Sequence, residues 1–193
     1  MAQGDLFEAV ITHHDIPRDP RVPLLIWWAA RLSELGLTPS YGPGDHGNLS
    51  CRTPDGLLVT ARATTKSRLR PEDVVEIVGV DRTPSGVLVR CRGARLPSTD
   101  TLLHLTVYQR RPDIHAILHG HDAHALAKAH ELKLPMTSRS AARASHALIE
   151  EICELVTRDE YVLLRDHGFL ALGRSLDDAG ELVRRWCRHA RSV

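Results

Sequence analysis

The stretch Ile117-Leu118-His119-Gly120-His121-Asp122-Ala123-His124 constrains this chain more than any other. It follows Arg111-Pro112-Asp113 and reads as the end of a buried strand. Strand side chains alternate faces with period two, so His119 and His121 are expected to point the same way. Two imidazoles on one face can grip a single metal ion. Neutral imidazole suits Zn, Fe, Mn or Co, and Zn takes at least three protein ligands, so a third must come from elsewhere. The chain has 12 His, so the pair by itself does not separate a metal site from two packing histidines. The surroundings have to do that.

Composition removes several classes. Lys+Arg number 25 against Asp+Glu 24, a net charge of +1, without the basic excess of a nucleic-acid binder. The 193 residues fit one domain over 1–193, with 1–23 as a lead-in, and a hydrophobic share of 42% allows a sizeable core. Cys51, Cys91, Cys153 and Cys187 form no C-x-x-C pair. A disulfide framework or Cys-based zinc site is therefore not expected, and a reducing compartment is the default. The N-terminus is polar (Gln3, Asp5, Glu8), and no apolar run approaches about 18 residues. The chain is expected to be soluble and cytoplasmic, with no membrane partner.

Residues 1–23, with three Pro, read as a lead-in holding one short helix. Leu24, Leu25, Trp28, Ala29, Leu32 and Leu35 recur at helical spacing, and Gly36 suits the C-cap. Tyr41-Gly-Pro-Gly-Asp-His-Gly-Asn-Leu-Ser50 is a Gly-rich loop running into a strand, Leu49 to Arg52. Thr53-Pro-Asp-Gly56 turns it into a return strand, Leu57 to Thr60. Such a loop, with exposed backbone N–H groups at the mouth of a hairpin, can hold an anion. Val74–Val80 and Val87–Cys91 make a second hairpin around Asp81–Gly86.

Ser98-Thr99-Asp100 opens a helix to about Arg111, with Ser98 or Thr99 as cap. Asp122 to His130 predicts a short helix and Ser140 to Thr157 a longer one. Tyr161–Leu164 and Phe169–Leu172 are apolar strands joined by Arg165-Asp-His-Gly168, with His167 at the tip. Ser175-Leu-Asp-Asp178 starts a last helix ending near Arg191, whose Arg184, Arg185, Arg188 and Arg191 form a solvated or inter-subunit face. Hairpins mixed with helices predict an α/β (α+β) or three-layer α/β/α fold with a mainly antiparallel sheet.

Four motifs stand in order: Gly47-Asn48-Leu49-Ser50, Pro97-Ser98-Thr99-Asp100, His119-Gly120-His121 and Asp166-His167-Gly168. Together, across roughly residues 24–190, they resemble the class II aldolase/adducin family, which includes fuculose-phosphate and rhamnulose-phosphate aldolases and ribulose-phosphate 4-epimerase. The resemblance implies that His119, His121 and His167 hold one divalent metal ion per chain, Zn foremost, with Mn, Co or Fe as alternatives. It agrees with the two same-face strand ligands and a third from a turn. It also implies a homotetramer with sites between neighbours. His104 and His115 are read as packing, and His124 as at most a neighbour of the ligands.

The family's aldolases carry Glu where this chain has Asp100, as the epimerases do. Asp100 is thus either a fourth ligand or the acid/base. Three departures stand out. The Thr-Pro-Thr-Gly-like run that helps hold the substrate phosphate is here Thr60-Ala61-Arg62-Ala63, so Arg62 could clamp a carboxylate or phosphate or fill the pocket. Residues 131–147 lack the usual Tyr- and Gly-containing stretch and the epimerase's second acid. The chain stops at Val193, where relatives often continue to a catalytic Tyr.

These features lead to an expected metal-dependent carbon–carbon lyase, acting through a metal-stabilised enediolate on a small hydroxy-carbonyl or sugar-phosphate-like substrate. Gly47, Asn48, Arg62, Ser98 and Thr99 would hold the anionic end of that substrate. A decarboxylase on the same site, a sugar-phosphate epimerase and a non-catalytic adducin-like module are the rival expectations.

Overall fold

The computed structural model describes residues 6–84, 86–141 and 145–192. Its strands are β1 (Glu8–His13), β2 (Asn48–Arg52), β3 (Leu57–Thr60), β4 (Val74–Thr83), β5 (Gly86–Arg92), β6 (Ala116–Gly120), β7 (Tyr161–Leu164) and β8 (Gly168–Gly173). The helices are α1 (Val22–Glu34), α2 (Thr101–Arg110), α3 (Ala123–Ala127), α4 (His146–Leu155) and α5 (Leu176–Ser192). The strands form one sheet in the order β1-β5-β4-β3-β2-β6-β8-β7. Only the β1–β5 pair is parallel; the others are antiparallel.

Period-two alternation splits the core into two halves. Leu58, Leu118, Leu163, Phe169 and Ala171 face α1, α3 and α5. Val59, Ile117, Val162, Leu164, Leu170 and Leu172 face α2 and α4. The sheet is apolar on both faces because helices cover both, and the expected three-layer α/β/α arrangement follows. All four cysteines are buried free thiols. Among the described residues no helix is long and apolar enough to cross a membrane.

Gly36 caps α1 as its sequence position suggested. Its φ is +74°, and Leu37 N donates to Leu32 O at 2.9 Å across the helix end. Trp28 enters the core at 1% exposure, and its indole Nε1 donates to Asp177 Oδ1 at 2.8 Å. Trp27 stays 47% exposed. The arginines of α5 lie on its exposed side.

Some expectations needed correction. The lead-in carries no short helix among its described residues before α1; it carries β1, because Ala9, Val10 and Ile11 extend against Val89, Arg90 and Cys91 at the sheet edge. Residues 1–5 of that lead-in lie outside the described residues, as does Ser85 in the β4–β5 turn. The helix expected from Ser140 begins only at His146, where Ser145 Oγ caps it by accepting from Leu148 N at 3.1 Å. The segment before it instead runs along the sheet edge, with Thr137 N donating to Leu163 O and Ala141 N to Arg165 O. Residues 142–144 lie outside the described residues. His115 and His124 are exposed; they neither pack in the core nor back the site.

Candidate metal centre

Antiparallel pairing brings the start of β2, the end of β6 and the start of β8 together at one end of three neighbouring strands. Asn48 lies opposite His119, and Gly120 lies opposite Phe169. His121 falls just past β6, where its N–H donates to Leu37 O at 2.8 Å. His167 closes the β7–β8 turn, behind Asp166 at φ +60°. Close packing makes two glycines obligatory here. A Cβ on Gly168 would sit 2.1 Å from Gly120 O, and one on Gly47 would sit 2.7 Å from His119 O. The turn therefore folds down onto β6 and carries His167 to the other two rings.

The ligand nitrogens of His119, His121 and His167 lie within 4.8 Å of one another. Nδ1 of His119 is 2.7 Å from Phe169 O. A carbonyl only accepts, so Nδ1 carries the proton and Nε2 presents its lone pair. That Nε2 is 3.1 Å from His167 Nε2. His121 Nε2 is buried without a hydrogen-bond partner. Burial holds His121 down at about 3, and the neighbouring imidazoles add to this. Burial, followed by the repulsion of His167, pushes His119 well below the ordinary histidine value. Burial also lowers His167. The three rings are therefore neutral near pH 7, the protonation state that metal ligation requires. Three neutral imidazole donors with one orphaned buried nitrogen fit a divalent ion such as Zn, Mn or Co.

The remaining candidate residues line the same cleft. Gly47, Asn48, Arg62, Ser98, Thr99 and Asp100 surround it with the three histidines, in a volume of about 400 Å³. Asp100 does not cap α2 through its side chain, and neither Ser98 nor Thr99 is the cap residue. Ser98 Oγ accepts from Asp100 N at 3.3 Å instead. The carboxylate is thereby turned into the cleft, where Asn48 Nδ2 donates to its Oδ2 at 2.6 Å. That oxygen lies 4.0 Å from His119 Nε2. Arg62 is anchored by its Nε donating to Pro97 O at 3.0 Å.

Residues 28–191 match the model of the class II aldolase and adducin N-terminal domain. The chain belongs to the class II aldolase/adducin family. It is 27% identical over 163 residues to the L-fuculose phosphate aldolase of Haemophilus influenzae, covering 77% of this chain and 70% of that protein. It is 40% identical over 80 residues to the methylthioribulose-1-phosphate dehydratase of Methylococcus capsulatus, a match that takes in 41% of this chain and only 35% of that enzyme. The crystal structure of l-fuculose-1-phosphate aldolase from Thermus thermophilus shares the fold, with a TM-score of 0.73 at 23% identity, over 90% of this chain and 93% of that one. Both curated relatives are enzymes by name.

Sequence reasoning missed three features of this family member. His46, from the Gly-rich loop, stacks on His121 with ring centroids 4.4 Å apart, and Tyr41 meets His46 at a tilt of 43°. Lys66 is buried in the cleft wall. His104 is buried, as read, but as part of a polar chain in which its Nδ1 meets Ser50 Oγ at 2.7 Å and Ser50 Oγ meets Tyr108 OH at 2.9 Å. The signal for His46 was its position directly before Gly47-Asn48. For the other two, spacing carried no signal.

Proposed function

We propose that this protein is a divalent-metal-dependent lyase of the aldolase type, cleaving a carbon–carbon bond in a small hydroxy-carbonyl substrate with an anionic end. The observation that carries the reading is the convergence of three neutral histidine donors on one side of Asp100, whose carboxylate Asn48 orients. His119, His121 and His167 would hold the ion. A divalent cation there supplies Lewis acidity, stabilising negative charge on substrate oxygens as a bond at the adjacent carbon breaks.

This chain's own residues do the rest. Gly47 and Asn48 from the loop, Ser98 and Thr99 before α2, and Arg62 bind the anionic end and fix which carbon lies beside Asp100. Asn48 holds Oδ2 of Asp100, so the carboxylate has one orientation toward the reacting carbon. Asp100 takes the hydroxyl proton as the bond breaks and returns it to the product, the work of a general acid/base. Its Oδ2 lies 4.0 Å from His119 Nε2 and is held by an amide, which favours proton transfer over ligation.

A second reading is elimination of water from the same substrate class. The 40% identity to a methylthioribulose-1-phosphate dehydratase favours it. Cleavage takes the proton of the hydroxyl and elimination takes one from the carbon beside the carbonyl, and product analysis separates the two. Protein reloaded with Zn, Mn or Co would be given a panel of ketose 1-phosphates and hydroxy-keto acids. Cleavage yields two carbonyl fragments; dehydration yields one product lighter by a water. No turnover of either kind in metal-replete protein would overturn the aldolase and dehydratase readings and leave the decarboxylase, the epimerase and the non-catalytic module.

A further inference from the structure

Among the described residues, Lys66 is the single lysine or arginine that is buried, at 2% exposure. Its ammonium donates to Asp45 O at 3.1 Å, Thr64 O at 3.0 Å and Thr64 Oγ1 at 3.1 Å. Its backbone N–H donates to Asp45 Oδ2 at 2.7 Å. It therefore ties together two loops, 40–47 and 61–66. Other contacts seal the same seam. Asp45 N donates to Thr64 O, and a Cβ on Gly44 would lie 2.7 Å from the Ala63 and Thr64 backbone. One loop ends in Gly47 and Asn48, and the other carries Arg62. Both face the cleft, and Lys66 forms part of its wall.

A neutral side chain could staple two loops. Burying a cation instead costs several kcal/mol even after relaxation. All three oxygens that take the ammonium's hydrogens are neutral, so the hydrogen bonds satisfy the charge without cancelling it. The carboxylates of Asp45 and Asp73 act on it through space, and burial draws its pKa down to about 8, which still leaves it protonated at neutral pH. A fixed, dry, positive charge behind an anion-facing loop is preorganised electrostatics, strong because no water has to reorient around it.

We propose that Lys66 is a positioning residue of the cleft, setting Gly47 and Asn48 through the loop and holding the substrate's anionic end by its field without touching it. The inference rests on the reading of the cleft as a site for an anionic substrate.

The test is calorimetric titration with sodium sulfate, a dianion of constant charge, at neutral pH. Metal content and melting temperature are measured on the same samples. Lys66→Met is expected to bind sulfate about tenfold or more weakly than the wild type, with metal content unchanged, and Lys66→Arg to recover affinity to within about threefold. Equal sulfate affinity in a folded Lys66→Met protein overturns the proposal, as does a wild type that binds no sulfate. Should the Met variant not fold, Asp45→Asn serves. It keeps an oxygen for the Lys66 N–H while removing the nearby negative charge, and is expected to tighten sulfate several-fold; no change overturns. A mass adduct on Lys66 after borohydride reduction with a ketose phosphate would make it a Schiff-base nucleophile and also overturn positioning. Failure of the metal-lyase reading would appear separately, as absent metal or absent turnover, neither of which the sulfate titration reads.

Discussion

His119 Nε2 and His167 Nε2 lie 3.1 Å apart although the residues are 48 positions apart in the chain. The Phe169 carbonyl fixes the tautomer of His119 and so directs a lone pair at its partner. His121 adds a third buried nitrogen with nothing to bond. This arrangement serves an ion better than it serves the bare protein, since an unsatisfied buried polar atom costs about 1–3 kcal/mol.

Removing one donor should therefore empty the site. Elemental analysis of wild-type protein is expected to give about one divalent ion per chain, with His121→Ala and His167→Ala losing at least about 100-fold in metal affinity. The wild type should also melt higher with metal than after chelation, a difference that His121→Ala abolishes. A variant that keeps its ion would remove these histidines from the ligand set.

Asp100 is expected to separate binding from chemistry. Asp100→Asn preserves shape and the proximity of Asn48 but cannot take a proton. The expectation is a fall in kcat of about 10²–10⁴ with metal content retained. Loss of the ion together with the activity would instead make Asp100 a ligand.

Ala63 sits at φ +53°, a left-handed conformation that L side chains resist. Ala63→Gly should relieve that resistance. Urea unfolding is expected to show a gain of about 0.5–1 kcal/mol, reduced by the extra freedom of the unfolded glycine chain. A loss of stability would mean that the Ala63 methyl packs more than it strains.

His104 should leave a mark on stability below neutral pH. Burial, only partly offset by Asp100, lowers its pKa to about 4. Because the folded value lies below the ordinary 6.5, the unfolded chain takes up a proton that the folded protein refuses. The contribution of His104 is thus complete above about pH 6.5 and is lost as pH falls toward 4, on the order of 3 kcal/mol in all. Unfolding free energies measured between about pH 7 and 4.5 should fall less steeply for His104→Asn than for wild type. Parallel slopes would show that His104 is protonated in the fold.

Gly168→Ala is expected to damage both fold and site. Its methyl would meet the Gly120 carbonyl at 2.1 Å, in the backbone of the strand that carries His119. Backbone cannot rotate away as a side chain can, so a loss of about 2 kcal/mol or more is expected, together with weaker metal binding. Calorimetric melting with and without added metal measures both.

The sequence by itself determined the local grammar. Strand runs broken by Thr53–Gly56 and Arg165–Gly168 became hairpins, apolar spacing in α1 chose its buried face, and Gly36 ended it, because each outcome depends on neighbours within a few residues. The candidate-site residues were legible for the same reason: His119, His121, His167 and Asp100 stand in short motifs with their own spacing. What escaped depended on partners distant in sequence. The lead-in became β1 because the edge of β5 offered it a ladder, and that edge lies about 80 residues away.

Tertiary structure alone decided that His46 stacks on His121, that Asn48 orients Asp100, and that Lys66 is buried between two loops. Antiparallel registry between β2 and β6 sets Asn48 against His119. Burial then acts on the charge states, keeping the imidazoles neutral and drawing the lysine down to about 8, where Asp45 and Asp73 help it stay a cation. Motifs carry the chemistry of the groups, whereas distance and desolvation, which set what those groups do to one another, exist only once the sheet has formed.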